Sequence, residues 1–213
     1  VWILDQMIDQ VLIEQAAAEA GITVSEEEVN NTIESLKQEI GEEALLERVQ
    51  SEGMTLEEMR AQLHREMVAL EMMNYVVGQV PLKAEHVQAR HILFSNEEEA
   101  QQVLVQLRAG ADFATFARTY SEDAGTRDLG GDLGYFPRGI LTSPEVEAVA
   151  FELQPGQISD VVQSGLGYHI IQVLDRKSDM EIAPENLRLL QASARSQWLE
   201  DLRAQADIQR YLT

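Results

Sequence analysis

Two short apolar runs constrain the middle of this chain more than any other feature. HVQARHILF (86–94) and GYHIIQVL (167–174) each read as a β-strand, with His91 among the apolar residues of the first and His169 among those of the second. The signals between them are mostly helical. Ser95 with Glu98 is a capping box opening a helix to about Arg108. Asp112 caps a shorter helix through Tyr120, and Ser143-Pro144 is an N-cap and N1 pair starting a third that reaches Phe151. The stretch SEDAGTRDLGGDLGYFPRG (121–139) is dense in glycine and turn residues and reads as a loop, and LQPGQ reads as a turn. Strands at both ends with helices between predict a small α+β unit over 84–176, its first and last strands side by side.

The flanks have a different character. Residues 1–83 read as helices. Leu4, Ile8, Val11 and Leu12 share one face, and Gly21 ends the first helix. SEEE from Ser25 and TLEE from Thr55 are two capping boxes. The first opens a helix with Val29, Ile33, Leu36 and Ile40 inward; the second opens one that buries Met59, Leu63, Met67, Leu70 and Met73. The methionine stripe reads either as ordinary helical core or as a surface for unfolded chains. Residues 177–213 return to helix, with Leu187, Leu190, Ala194, Trp198 and Leu202 at helical spacing.

Charge separates these zones. Residues 1–83 carry 17 acidic and 5 basic side chains, and residues 177–213 carry 6 and 5. The last helix, bearing Arg188, Arg195, Arg203 and Arg210, suits docking on the acidic first segment; an ordinary solvated face is the other reading. Docking would make 84–176 an insertion in a helical domain built from both chain ends.

The net charge of −21 argues against nucleic acid, whose phosphates demand an excess of Lys and Arg, and against anionic membrane surfaces. Without cysteine there is no disulfide framework and no thiolate chemistry. A chain of 213 residues that opens mid-helix without Met fits the loss of an upstream targeting or anchoring segment.

A lone strand histidine is most often a satisfied core residue. Two on neighbouring strands, about 5 Å apart, form a pair. Two ligands are too few for a metal site, and the chain has no Cys. No serine sits in a G-x-S-x-G elbow. A hydrogen-bonded histidine pair under an apolar pocket suits a reaction that needs shape and electrostatics without a nucleophile.

ARHILF, FATFARTYSEDAGTRDLGGDLGYFPRG and SGLGYHIIQV together resemble the parvulin family of peptidyl-prolyl cis/trans isomerases, over about residues 86–175. LDQMIDQVLIEQAAAEAGITVSEEEVNNTIESLK and WLEDLRAQADIQRYL resemble the flanking helices of extracytoplasmic foldases of the SurA, PrsA and PpiD type. The resemblance implies a parvulin-like domain, with a small antiparallel sheet and surrounding helices, inserted in an all-helical chaperone domain. It implies a histidine pair at His91 and His169, an acidic residue beside the rotating amide at Asp123, and a hydroxyl bonded into the pair at Ser164. It also implies a proline slot lined by Leu133, Phe136, Leu141 and Val146, no cofactor and no metal. Plain core packing is the other reading of those four apolar residues.

The chain departs from the family in this slot. Members usually place a Met and a Phe there, as in GQMVPEF, whereas GILTSPEV is one residue longer and sets Leu141 and Val146 in the matching places. A smaller wall implies weaker catalysis. Only Ser95-Asn96 separates the first strand from its helix, so the basic loop of phospho-directed parvulins is missing. The expected partners are unphosphorylated, unfolded or nascent exported polypeptides, outside the cytoplasm, with oligomeric state open between monomer and homodimer. Two function classes stand: a prolyl isomerase and foldase, or a holdase whose parvulin unit only binds peptide.

Overall fold

A computed structural model describes residues 2–208. Two compact units emerge: Val1–Val80 with Gln191–Thr213, and Pro81–Leu190. The fold class is the expected one, an α+β parvulin-like domain within an all-helical one.

The helical unit begins with α1 (Trp2–Glu19), α2 (Glu26–Ile40), α3 (Glu42–Ser51) and α4 (Leu56–Gly78). Both capping boxes are present: the Ser25 and Thr55 hydroxyls accept the Glu28 and Glu58 backbone N–H, and each glutamate returns to its cap. The core gathers Ala17, Val29, Ile33, Leu45, Val68 and Met72. Met59, Leu63 and Met67 pack on it only partly buried. The expected inward faces are each rotated at one edge. Val11, Ile40 and Leu70 are exposed: α1 buries Leu12 and Ala17, α2 buries Val29 and Ile33 as expected but not its last residue, and α4 buries the Val68-Met72-Val76 stripe instead of the expected one.

The last helix, α8 (Pro184–Gln205), has no fully buried residue. Leu187, Leu190, Ala194, Trp198 and Leu202 are each half-buried along one face. Trp198 packs on the core of the helical unit, and Arg203 forms a bidentate pair with Asp9 at 2.6 and 2.5 Å. Of the other arginines expected to dock, Arg188 and Arg195 are exposed, and Arg210 lies outside the described residues.

The α+β unit is built on β1 (Lys83–Phe94), β2 (Asp132–Pro137), β3 (Val162–Ser164) and β4 (Gly167–Glu181), all antiparallel, in the order β2-β1-β4-β3. The first and last strands are the central pair. β2 falls in the stretch that reads as loop, where glycine and turn residues hide the alternation, and β3 falls in a stretch to which sequence reading assigns no element; pairing to a long central strand supplies the order of both. β4 also runs past its apolar run to Glu181, because β1 offers partners back to Lys83.

One sheet face packs on α5 (Glu97–Arg108) and α6 (Phe113–Tyr120) through Ile92, Phe94 and Ile170. The other packs on α7 (Pro144–Glu152) through Val87, Ala89, Ile171 and Val173. The helix starts differ in detail from expectation. Asn96, not Ser95, caps α5, accepting the Glu98 and Glu99 N–H, while the Ser95 hydroxyl donates to Glu122. Asp112 caps α6 as expected; Ser143 precedes α7 with no side-chain cap bond, and Pro144 at the first position sets the turn.

Candidate active site

The strand register brings the histidines together. His91 pairs with Ile171 and Leu93 with His169, so the two histidines are diagonal neighbours on one sheet face. It is the face that packs on α7. The rings lie edge to edge and nearly coplanar, with 15° between planes and Nδ1 to Nδ1 at 3.2 Å. His91 is 7 % exposed and His169 1 %.

Both ends of the pair are anchored. His91 Nε2 lies 2.8 Å from Asp123 Oδ2 and 3.1 Å from the Thr126 hydroxyl. His169 Nε2 lies 2.7 Å from the Ser164 hydroxyl, which also accepts the Leu166 N–H. Thr126 donates to Asp123 Oδ2, and the Gly125 N–H donates to Oδ1 at 3.0 Å. Burial works to raise the Asp123 pKa, but the hydrogen bonds from Thr126, His91 and Gly125 prevail and hold it below the usual carboxylate value.

An ionised Asp123 sets the direction of the whole chain. It can only accept, so His91 Nε2 carries a proton, and in the tautomer that satisfies every group His91 Nδ1 is the acceptor. His169 Nδ1–H then donates to His91, and Ser164 O–H donates to His169 Nε2. Every donor in this arrangement has an acceptor. Burial first, and then the neighbouring His91, push the His169 pKa down to about 4; the negative charges of Asp123 and Glu145 oppose this without offsetting it.

The loop between α6 and β2 delivers Asp123 and Thr126. His91 N–H donates to the Gly131 carbonyl at 2.9 Å, and a Cβ on Gly131 would sit 2.1 Å from the His91 oxygen, at a φ of +81°. Only glycine fits so close to the strand. Buried Ser121 ties the same loop down, its hydroxyl accepting the N–H of Leu93 and of Asp123.

Leu133, Phe136, Leu141 and Val146 gather in one cluster with Val87, Ile171 and Phe151. Phe136 and Val146 are buried at 2 and 3 % exposure. Leu133, Leu141 and the neighbouring Ile140 are only partly buried, so they form the side of the cluster that solvent reaches. Glu147 of α7 fixes that edge: its carboxylate accepts the N–H of Gly139, Ile140 and Leu141 at 2.7, 3.0 and 3.1 Å.

The histidine pair, Asp123 and Ser164 therefore meet in one network, and the four apolar residues meet in another. Sequence reading missed Thr126, Ser121, Glu147, Ile140 and the fit at Gly131. The Asp123-to-Thr126 spacing carries a recognisable local signal, a carboxylate followed three residues later by a hydroxyl. Nothing in the sequence marks Glu147. Among the described residues, no group of three or more His, Asp or Glu side chains is placed to hold a metal ion.

Fold and site define a parvulin-type peptidyl-prolyl isomerase domain attached to a helical chaperone-type domain. The PPIC-type PPIase domain family matches residues 72–177, and the SurA-like N-terminal domain family matches residues 2–73. Foldase protein PrsA of Halalkalibacterium halodurans is 34 % identical over 229 residues, covering 97 % of this chain and 68 % of that protein. The foldase PrsA of Caldanaerobacter subterraneus is 35 % identical over 171 residues, covering 80 % of this chain and 55 % of that protein. The crystal structure of the peptidylprolyl isomerase PrsA from Bacillus cereus superposes with a TM-score of 0.62 at 28 % identity, covering 100 % of this chain and 84 % of that one. The chain belongs to the PrsA foldase family, and it spans between about half and two thirds of the length of these curated relatives.

Proposed function

We propose that the chain isomerises X-Pro bonds in unphosphorylated, unfolded exported polypeptides outside the cytoplasm, while its helical unit holds the same clients. The observation that carries the catalytic half is the hydrogen-bonded chain Ser164–His169–His91–Asp123, with the His169 pKa pushed down and the Asp123 carboxyl held below its usual value. Rotating an X-Pro bond costs roughly 18–20 kcal/mol, because the amide must lose its resonance. That resonance places negative charge on the carbonyl oxygen. An ionised Asp123 beside the oxygen disfavours the planar form, and the locked histidines keep Asp123 and the pocket floor from relaxing. No covalent step is needed; the proline ring is held against the exposed side of the Leu133–Leu141 cluster, and the twisted amide is favoured.

Two acceptor-rich features agree with an unphosphorylated substrate. The β1–α5 connection is Ser95-Asn96 alone, and α5 opens with Glu97, Glu98 and Glu99, which would repel a phosphate.

A protease-coupled assay on Ala-Pro peptides tests the reading. Catalysis should be measurable but slow, and should fall about ten- to a hundredfold in His91→Ala and in Asp123→Ala. No catalysis at high enzyme concentration, in wild type and in Leu141→Met alike, would favour the second reading, a holdase whose parvulin unit only docks peptide. Burial of Phe136 and Val146, which leaves only Leu133 and Leu141 of the four partly exposed, is the observation on that side. Sedimentation decides between monomer and homodimer.

A further inference from the structure

The helical unit contains a cavity at the edge of its core, apart from the isomerase site. It opens between α2, α3 and α4, has a volume of about 390 Å³, and is walled by Leu36, Leu45, Val49, Met54, Met59 and Leu63. Pockets that take small ligands run from roughly 300 to 1,000 Å³, so this one has room for one or two apolar side chains. Two of its walls are methionine, which adapts to differing shapes.

Its mouth is polar and acidic. Glu52 and Glu66 stand at the rim with Arg48 and Gln62. Residues 26–78 contain 13 acidic and 4 basic side chains. Each of the four basic groups is already in an ion pair: Lys37 with Glu34, Arg48 with Glu52, Arg60 with Glu26, Arg65 with Glu14. At the mouth itself two carboxylates meet one cation, Arg48, which is already paired with Glu52, so an occupant meets a net negative rim.

We propose that this cavity is a binding site for segments of unfolded polypeptide in which a large apolar residue is flanked by Lys or Arg. The apolar side chain enters between Met54, Met59 and Leu63, and the flanking cations meet Glu52, Glu66 and the surrounding acidic faces. This specifies the clients of the holding activity proposed above, and rests on that reading.

The test uses the full chain and three labelled, proline-free peptides of equal length, with a Leu-Phe centre flanked by Lys, Ser or Glu. Fluorescence anisotropy at low salt should show the Lys-flanked peptide binding about tenfold more tightly than the Glu-flanked one, with the gap narrowing as salt screens the rim. Gln62→Trp, at an exposed rim position, should weaken the Lys-flanked peptide about tenfold by covering the mouth while leaving X-Pro catalysis unchanged. Glu52→Gln with Glu66→Gln, both on the surface, should shrink the Lys-over-Glu preference even if the tryptophan variant fails to fold. Equal affinities for the three peptides, or a preference untouched by both changes, would overturn the proposal. So would a self-association that Gln62→Trp abolishes, which would give the cavity to a second copy of the chain. Aggregation of a proline-independent client, run in parallel, separates the two ideas. Suppression without peptide discrimination removes the cavity and keeps the chaperone; discrimination without suppression does the reverse.

Discussion

His169 carries the clearest pH signature in the molecule. Its pKa falls from an unfolded value near 6.5 to about 4 in the fold, so between these limits the unfolded chain binds a proton that the folded one refuses. Stability should be level above pH 7, decline as pH drops from about 6.5 to 4, and lose at most about 3 kcal/mol by this route. Asp123 adds a loss at lower pH, as its depressed carboxyl is protonated in turn. Urea unfolding across pH, repeated in His169→Phe, checks this: the variant should lose the slope between pH 6.5 and 4. Imidazole nitrogen shifts at pH 7 should show His91 protonated at Nε2 and His169 at Nδ1. Ser164→Ala should disturb His169 before it disturbs His91. Leu141 and Val146, alike in sequence terms, behave differently in the fold. Leu141→Met sits at the half-buried edge and should raise catalytic efficiency. Val146→Phe enlarges a side chain that is 3 % exposed and should cost about 1–3 kcal/mol of stability before it helps the slot.

Among the elements, α7 with the loop before it governs the pocket. Glu147 holds three successive backbone N–H groups of residues 139–141, a charge-assisted clamp that stands in for absent strand or helix bonds. Glu147→Ala leaves those donors unsatisfied and should destabilise by about 1–3 kcal/mol. Glu147→Gln, with one acceptor oxygen, should keep most of the stability but raise KM for X-Pro peptides, since the Leu141 edge loosens. The long β1–β4 pair was legible because two apolar runs of matching length face each other. The caps at Ser25, Thr55 and Asp112 were legible because capping is local. β2, β3 and the Asn96 cap were not: their order comes from the partner strand, and from the bond that takes Ser95 away to Glu122.

For the molecule as a whole, each unit has its own core, and residues 81–190 enclose both faces of their sheet. Expressed alone, 81–190 should melt cooperatively and keep X-Pro catalysis; a molten product that binds hydrophobic dye would refute its autonomy. The helical unit needs both chain ends. Trp198 packs on the core formed by α1–α4, so truncation at residue 190 of the full chain should lower the helical unit's stability by about 3 kcal/mol or more. Suppression of client aggregation should survive His91→Ala and Asp123→Ala, because the groups involved lie in the other unit.

The sequence by itself determined the fold class, the central strand pair, three local caps and, through the resemblance its motifs carry, the choice of His91, His169, Asp123 and Ser164. These rest on periodicity, short-range hydrogen bonding and motif order, all of which are written along the chain. Only the tertiary structure decided which nitrogen faces which partner, that Thr126 and Glu147 belong to the site, and that Val146 is core while Leu141 is edge. It also turned Leu70, Ile40 and Val11 outward against their helical pattern. The physical reason is the same in each case. A side chain's direction within its element is local, but what it meets depends on register, crossing and close approach between segments distant in sequence, such as Gly131 against His91. Those contacts exist only once the chain has folded.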